Sequence, residues 1–207
     1  RMHDFRTDFI QNNLSENSYI VIFGDYNFYF EKGLKFDIND EIIEYETSSF
    51  FTLRGTVDAG YDDRKVILED KFRETITELA KDHKVILVYP SPVAPDHILK
   101  RVRRNFNAGY FRNDQYYLED EVNYGKDIYR KYNSDVIALL DSINGPTISK
   151  VSLDSVFCPE EQCFFYNDHH SYIFDKVHTS YQGSKSVNNL IFSAIEELEA
   201  QQVFDGN

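Results

Sequence analysis

Two short apolar runs, separated by one amphipathic segment, place the strongest constraint on how this chain folds. The first run, residues 19–23, is continuous, rich in β-branched residues and closed by Gly24 and Asp25. The second run, residues 84–89, follows residues 68–81, whose apolar side chains recur at helical spacing. Continuous apolar strands are typical of parallel sheets that are buried on both faces. The order strand, helix, strand therefore predicts two buried strands in an α/β fold with crossover connections.

Further periodic segments extend this pattern. Helices are predicted at residues 4–13, 98–105, 119–131, 134–142 and 184–201, and a third strand at 148–153. Residues 30–65 form an irregular insertion, in which a hairpin running from about 42 to 51 and back is predicted. No repeat or linker divides the sequence. We therefore expect residues 1–207 to form one domain, a three-layer α/β/α sandwich with a mostly parallel sheet.

The charge of the chain restricts its partners. Asp and Glu total 35 against 22 Lys and Arg, which gives a formal net charge of -13. A nucleic-acid groove needs a basic stripe, and the only basic run is the short one at residues 100–104. We therefore expect no nucleic-acid partner. No uninterrupted apolar run approaches about 18 residues, the length that indicates a membrane-spanning helix.

Two loops are the expected place for a site. In open α/β sheets, ligands bind at loops that leave the carboxyl ends of the strands. These loops are residues 24–30 after the first strand and the Pro-rich residues 90–95 after the second. Aromatic side chains within residues 26–51 are candidates to hold a sugar ring there.

A histidine-rich segment near the end of the chain offers two kinds of chemistry. Its possible metal ligands are Asp168, His169, His170, Asp175 and His178. Their spacing matches no helical two-histidine motif, and the adjacent His169 and His170 point in different directions in most conformations. Because a tetrahedral site needs convergent ligands, we predict no metal, and we find no signal for another cofactor.

The other chemistry is an acid–base pair. Asp175, three residues before His178, can accept its Nδ1 proton within one turn. That contact fixes the tautomer and leaves Nε2 outward as a general base. The pair would lie in a loop just before the final helix. A loop histidine that makes a structural hydrogen bond is the alternative, since so short a pattern also arises by chance.

The surroundings of the pair extend it to a longer block. Asp175, His178, Ser180 and Gly183 read Asp-x-x-His-x-Ser-x-x-Gly and precede an apolar helix. This block resembles the closing block of the SGNH (GDSL-like) esterases and acyltransferases. With the preceding strand and a Cys-Pro loop that contains a second cysteine, it resembles more narrowly the periplasmic SGNH domain fused behind bacterial acyltransferase family 3 membrane proteins. Those domains help to O-acetylate surface polysaccharides.

The resemblance implies a function. It implies an O-acyltransferase that passes acetyl to a hydroxyl of a cell-surface polysaccharide through a serine ester, with His178 as base and Asp175 orienting it. It also implies a glycan acceptor, an acyl donor delivered by a fused or partner membrane acyltransferase domain, and a periplasmic or extracytoplasmic location beside an inner-membrane domain. Two alternatives remain open: a carbohydrate esterase with the same pair, and a catalytically inactive glycan-binding module.

The family's nucleophile is a serine in a Gly-Asp-Ser turn, which this sequence lacks. Its only Gly-Asp is Gly24-Asp25, followed by Tyr26. Either this is the family's third block, with the serine strand before Arg1, or it is the first block with serine replaced, which favours the inactive module. A helix and a strand are predicted before Gly24, which favours the first interpretation. It implies oxyanion roles for Gly24 and Asn27, although Asn27 is also an ordinary turn residue.

Cys158 and Cys163 lie in the loop ahead of the pair. The residues alone leave open whether they are free buried thiols or bridged. The resemblance implies a disulfide and therefore an oxidising compartment. Its expected role is to pin the loop that carries Asp175 and His178.

Overall fold

The structure, a computed structural model, describes residues 13–24, 26, 33–38, 41–46, 61–95, 97–100, 103, 111–112, 115–116, 123–166 and 170–205. The strands within these ranges are β1 (Tyr19–Ile22), β2 (Gly33–Ile38), β3 (Glu41–Glu46), β4 (Lys84–Val88), β5 (Phe111–Arg112), β6 (Gln115–Tyr116), β7 (Tyr124–Gly125), β8 (Ile148–Val151) and β9 (Gln162–Cys163). The helices are α1 (Tyr61–Asp82), α2 (Lys126–Tyr132), α3 (Ser134–Ser142), α4 (Asp154–Phe157) and α5 (Tyr181–Asp205).

A parallel sheet of the order β1-β4-β8 forms the centre of the described fold. Tyr19 of β1 lies opposite Lys84 of β4, and Val85 of β4 lies opposite Ile148 of β8. The three predicted strands are therefore confirmed, each slightly shorter at its carboxyl end. Their parallel pairing also confirms the α/β class, because parallel neighbours require crossover connections.

The side chains of β4 alternate between two separate cores, as the two-residue period of a strand requires. Val85 and Leu87 pack with apolar residues of α1 and α3 on one face. Ile86 and Val88 pack with apolar residues of α5 on the other face. Helices thus cover both faces of the sheet, and the predicted α/β/α layering is confirmed.

β1 differs from the fully buried strand that its apolar sequence predicts. It lies at the edge of the described sheet, where β4 is its hydrogen-bonded neighbour, and the exposed fractions of Val21 and Phe23 are 42% and 41%. The predicted parallel pairing is correct, but the predicted complete burial is wrong. An apolar run cannot by itself distinguish a central strand from an edge strand.

Two helices are longer than predicted. α1 begins at Tyr61 rather than at residue 68, and α5 runs from Tyr181 to Asp205 rather than over 184–201. The early part of α1 has no apolar periodicity, but it carries Asp63, whose charge is favourable near a helix N-terminus. The prediction for α3, residues 134–142, is confirmed without change.

The predicted helix over 119–131 is only half correct. Residues 124–125 form β7, which pairs antiparallel with β9, and α2 begins at Lys126. The pairing of Tyr124 with Cys163, a partner far along the chain, overrides the local helical pattern. Residues 119–122 lie outside the described ranges.

The insertion contains a hairpin at a different position from the predicted one. β2 and β3 pair antiparallel, with Gly33 opposite Glu46 and Ile38 opposite Glu41. Asn39 and Asp40 separate the two strands in the sequence, and both are common turn residues. The predicted position, from about 42 to 51 and back, is therefore wrong, and the Asn-Asp pair is the signal in the sequence that indicates the observed one.

Some predictions fall largely outside the described part of the chain. Of residues 4–13 only Asn13 is described, and of residues 98–105 only 98–100 and 103, all of them helical. Among the described helices, none combines the length and the apolar character needed to cross a membrane.

Candidate active site

Asp175 and His178 form a hydrogen-bonded pair. Asp175 Oδ2 lies 2.7 Å from His178 Nδ1, and Asp175 Oδ1 accepts hydrogen bonds from the backbone N–H groups of Val177 and His178, both at 2.9 Å. The carboxylate therefore holds both the ring and the backbone of the histidine. Because Nδ1 is bonded to Asp175, Nε2 is the ring nitrogen left to exchange a proton.

The two members of the pair differ in exposure. The exposed fraction of the Asp175 side chain is 25%, and that of the His178 side chain is 76%. Partial burial alone would raise the pKa of Asp175. The hydrogen bonds from the backbone of His178 and Val177 and from the imidazole outweigh it and hold the pKa well below its usual range. The carboxylate is thus ionised near neutral pH, as an orienting group must be, while the ring is accessible to a reactant.

The Pro-rich loop after β4 holds the pair at the carboxyl edge of the sheet. The N–H of Ala94 donates to the carbonyl of Lys176 at 2.7 Å, and the N–H of Ile98 donates to the carbonyl of Asp175 at 3.2 Å. Ala94 and Ile98 are both buried. The structure therefore places the pair beside one of the two loops that the topology of the sheet singles out.

The pair lies within a closed turn. Ile173 and Thr179 pair as an antiparallel bridge, and the N–H of Phe174 donates to the carbonyl of His178 at 2.6 Å. The turn is anchored below this bridge by Tyr172, whose N–H donates to the carbonyl of Phe165 at 2.8 Å. These bonds fix the backbone on both sides of Asp175.

The remaining residues of the Asp-x-x-His-x-Ser-x-x-Gly block have structural roles. Ser180 caps α5, since its Oγ accepts a hydrogen bond from the N–H of Gly183 at 3.1 Å, and it donates to the carbonyl of Ser171. A Cβ on Gly183 would lie 2.0 Å from the carbonyl oxygen of Tyr172. The block thus combines the hydrogen-bonded pair of Asp175 and His178 with two residues, Ser180 and Gly183, that pack the start of α5 against the turn.

Cys158 and Cys163 are joined by a disulfide, as the resemblance implies, and both are buried. The same short loop is closed by a hydrogen bond of 2.7 Å from the N–H of Phe164 to the carbonyl of Phe157. Phe165, whose carbonyl anchors the turn of the pair, follows directly. The disulfide therefore stiffens the segment on which that turn rests.

The expected oxyanion residues are only partly described. Gly24 is half-buried, but a Cβ built on it would meet no atom within 4 Å, so the position of a side chain there is unobstructed. Asn27 lies outside the described residues. No hydrogen bond links Gly24 to the turn of the pair among the described residues, so their closeness stays a prediction.

Tyr26 lies between the two expected oxyanion residues, Gly24 and Asn27. It is buried, and its hydroxyl lies 2.8 Å from the carbonyl of Ile22 and 3.0 Å from that of Val88. Its ring packs edge-on against Phe72. Tyr26 therefore ties together the carboxyl ends of β1 and β4, and neither an oxyanion role nor the expected sugar contact suits it. The side chains of residues 27–51 lie outside the description.

The residues considered as possible metal ligands form no metal-binding cluster in the part of the chain that the structure describes. Asp168 and His169 fall outside the description, and the described His, Cys, Asp and Glu side chains form no group of three that could hold an ion. Nδ1 of His178 is occupied by its hydrogen bond with Asp175 and is therefore not free to bind an ion.

Two exposed aromatic residues beside the pair were not predicted from the sequence. Phe174 directly precedes Asp175 and Tyr181 begins α5, and their exposed fractions are 53% and 87%. Apolar side chains that contribute little to a core can serve a partner instead. Their position next to a predicted general base was the available signal, but aromatic residues are usually assigned to the core.

A family model described as "SGNH domain (fused to AT3 domains)" matches residues 2–192. The match includes the parallel sheet, the disulfide and the Asp175–His178 pair. No curated protein and no solved structure matches the chain.

Proposed function

We propose that this chain, which belongs to the family of SGNH domains fused to AT3 domains, transfers an acetyl group to a hydroxyl of a cell-surface polysaccharide. The observation that carries the proposal is the hydrogen bond of 2.7 Å between Asp175 Oδ2 and His178 Nδ1. An exposed imidazole oriented by an ionised carboxylate is the arrangement that activates a serine in acyl transfer.

The proposed reaction has two halves. Nε2 of His178 removes the proton of a serine hydroxyl, whose oxygen attacks the carbonyl carbon of the acyl donor, and the imidazolium then returns that proton to the leaving group. An acceptor hydroxyl next gives its proton to Nε2 and attacks the serine ester, and the imidazolium returns that proton to the serine oxygen as the bond between the serine and the acyl group breaks. Asp175 stabilises the imidazolium in both halves.

The described serines nearest to His178 in the sequence are poor nucleophiles. The Oγ of Ser180 is bonded to Ser171 and Gly183, and the Oγ of Ser184 lies 2.8 Å from the Oγ of Thr179. The hydroxyl groups of Ser180 and Ser184 are therefore engaged in hydrogen bonds that stabilise the start of α5.

We assign the nucleophile to a strand that precedes residue 1 and pairs with the outer edge of β1. No described strand pairs with that edge, and the exposed apolar side chains of Val21 and Phe23 would be covered by such a neighbour. Because parallel strands end at the same edge of a sheet, the end of an added parallel strand would meet the loop of Gly24. Gly24 and Asn27 are then the proposed oxyanion donors, of which one can be worth about 3 kcal/mol.

The acceptor is proposed to be a glycan held in part by Phe174 and Tyr181. Aromatic rings offer a flat apolar surface with little conformational freedom to lose, which suits the face of a sugar ring. Both lie within a few residues of His178, where the acceptor hydroxyl must arrive. A buried disulfide supports an oxidising, extracytoplasmic compartment, and the fusion named by the family model supports a membrane acyltransferase domain as the source of acyl groups.

The test uses the full natural protein that contains residues 1–207. Acetyl transfer from an activated acetyl ester to an oligosaccharide is measured together with the release of free acetate. We expect acetylated sugar as the main product and a loss of about 10²–10⁴-fold in turnover for His178→Ala. His170→Ala, which removes another exposed histidine, is the matched control and should retain turnover.

Each alternative predicts its own result. Free acetate as the main product at saturating oligosaccharide would establish the esterase. Oligosaccharide binding without turnover would establish the inactive module. Turnover that survives His178→Ala would show that the chemistry resides elsewhere.

A further inference from the structure

One peptide group connects the buried Tyr124 to the turn of the pair. The hydroxyl of Tyr124 donates to the carbonyl of Val93 at 3.0 Å. The N–H of the same peptide group, that of Ala94, donates to the carbonyl of Lys176 at 2.7 Å. A continuous chain of hydrogen bonds therefore runs from Tyr124 to Lys176, one of the two residues between Asp175 and His178.

The ring and backbone of Tyr124 reach the second anchor of the turn. The ring packs against Phe165 with centroids 5.4 Å apart, and the backbone pairs with Cys163. The carbonyl of Phe165 accepts the N–H of Tyr172 at the base of the turn. Tyr124 thus contacts both segments that support Asp175 and His178.

We infer that Tyr124 is a positioning residue, whose hydroxyl sets the geometry of the Asp175–His178 pair through the Val93–Ala94 peptide; the inference rests on the proposed function. A peptide group is planar, so fixing the direction of its C=O also fixes the direction of its N–H. A donor on the carbonyl also polarises the peptide and strengthens the bond made by its N–H. Because Tyr124 and Val93 are buried, water cannot readily replace the hydroxyl.

Tyr129 of α2, which bonds to the same loop after β4, provides a matched control. It is also buried, and its hydroxyl donates to the carbonyl of Pro90 at 2.8 Å. The N–H of that peptide group, on Ser91, makes no hydrogen bond to the described residues 170–184. Tyr129→Phe therefore removes a comparable hydrogen bond without interrupting a link to the pair.

The experiment compares Tyr124→Phe with Tyr129→Phe in the full protein. For Tyr124→Phe we expect kcat to fall by about 10–100-fold with KM unchanged, since small displacements of catalytic groups have large effects on rate. Two measurements need no turnover: hydrogen exchange of the Ala94 amide should accelerate, and the NMR signal of the proton between His178 and Asp175 should shift. Tyr129→Phe should change none of these, although it lowers the unfolding midpoint to a similar extent.

Equal changes in both variants, or lost turnover with an unmoved Ala94 amide and His178 proton, would overturn the inference. If the wild-type protein transfers no acetyl group, the proposed function fails, yet the exchange and NMR measurements still decide whether Tyr124 positions the pair. If Tyr124→Phe does not fold, Ala94→Pro, which deletes the bridging N–H and keeps Tyr124, should shift the same NMR signal. An unshifted signal in that variant would equally refute the link.

Discussion

The turn that carries Asp175 and His178 and the loop after β1 lie at the same edge of the sheet but are built differently. The turn is bonded on two sides, to the loop after β4 and to Phe165, and its histidine is held at both ring and backbone. Only Gly24 and Tyr26 of the loop after β1 are described: the hydroxyl of Tyr26 bonds to the carbonyl of Val88, and a Cβ built on Gly24 would meet no atom within 4 Å. Within the described residues, the Asp175–His178 pair is therefore held rigidly, whereas the position of a Cβ on Gly24 is unobstructed.

The largest expected effect comes from breaking the orientation of the base. Asp175→Asn should reduce kcat by about 10⁴-fold, because an amide donor opposite Nδ1 places the ring proton on Nε2. The buried contacts beneath the turn are unchanged, so the shift in the unfolding midpoint should be too small to explain the loss of turnover. The check is turnover of an activated acetyl ester beside a thermal melt. A loss of less than 10-fold would mean that Asp175 is a structural acceptor only.

Two glycines sharpen the comparison between the rigid and the open side. Gly183→Ala would force a Cβ to 2.0 Å from the carbonyl oxygen of Tyr172, so the first turn of α5 must shift. We expect it to lower the free energy of unfolding by about 3 kcal/mol, the upper end for overpacking. Gly24→Ala meets no atom within 4 Å and should change that free energy by less than about 0.5 kcal/mol. Denaturant unfolding of both variants decides, and equal losses would contradict the comparison.

The sequence predictions succeeded for the elements that are buried against neighbours and failed for those that are not marked by a local pattern. Continuous apolar runs and helical periodicity correctly identified β1, β4, β8 and both helical layers, because these patterns reflect burial against neighbours. The start of α1 was missed because polar helical turns leave no periodic signal. β7 was missed because Tyr124 pairs with a partner almost forty residues away, which no local pattern records.

The contact between Asp175 and His178 and the disulfide were predicted, but the backbone bonds that support the turn were not. Asp175 and His178 could be chosen because their spacing suits a histidine base that a carboxylate orients. The links from Ala94 to Lys176 and from Phe165 to Tyr172 are backbone hydrogen bonds, in which side-chain identity plays no part. The sequence left a functional role for Tyr26 open. The buried hydrogen bonds of its hydroxyl to the ends of β1 and β4 show that its role is structural.

A smaller effect is expected from opening the disulfide beneath the turn. Replacing both Cys158 and Cys163 with Ser should lower the free energy of unfolding by about 2 kcal/mol, since the closed loop is short. In the unreduced, unfolded wild-type protein, thiol titration should detect no free cysteine. Two reactive thiols there would exclude the bridge and remove the main support for an oxidising compartment.

The smallest expected effect is a pH dependence of stability that belongs to Asp175. Its pKa is lower in the folded protein than in the unfolded chain, so the carboxylate stabilises the fold above the unfolded pKa of about 3.9. This contribution declines as the pH falls below that value toward the folded pKa. Asp175→Asn should therefore be less stable than wild type at pH 7, and the difference in unfolding free energy should shrink steadily between about pH 5 and pH 2. Urea unfolding at a series of pH values measures this difference.

Gly24→Ala is the matched control, because its difference from wild type should stay constant with pH. A gap for Asp175→Asn that does not shrink on acidification would show that the turn holds His178 without help from the charge of the carboxylate.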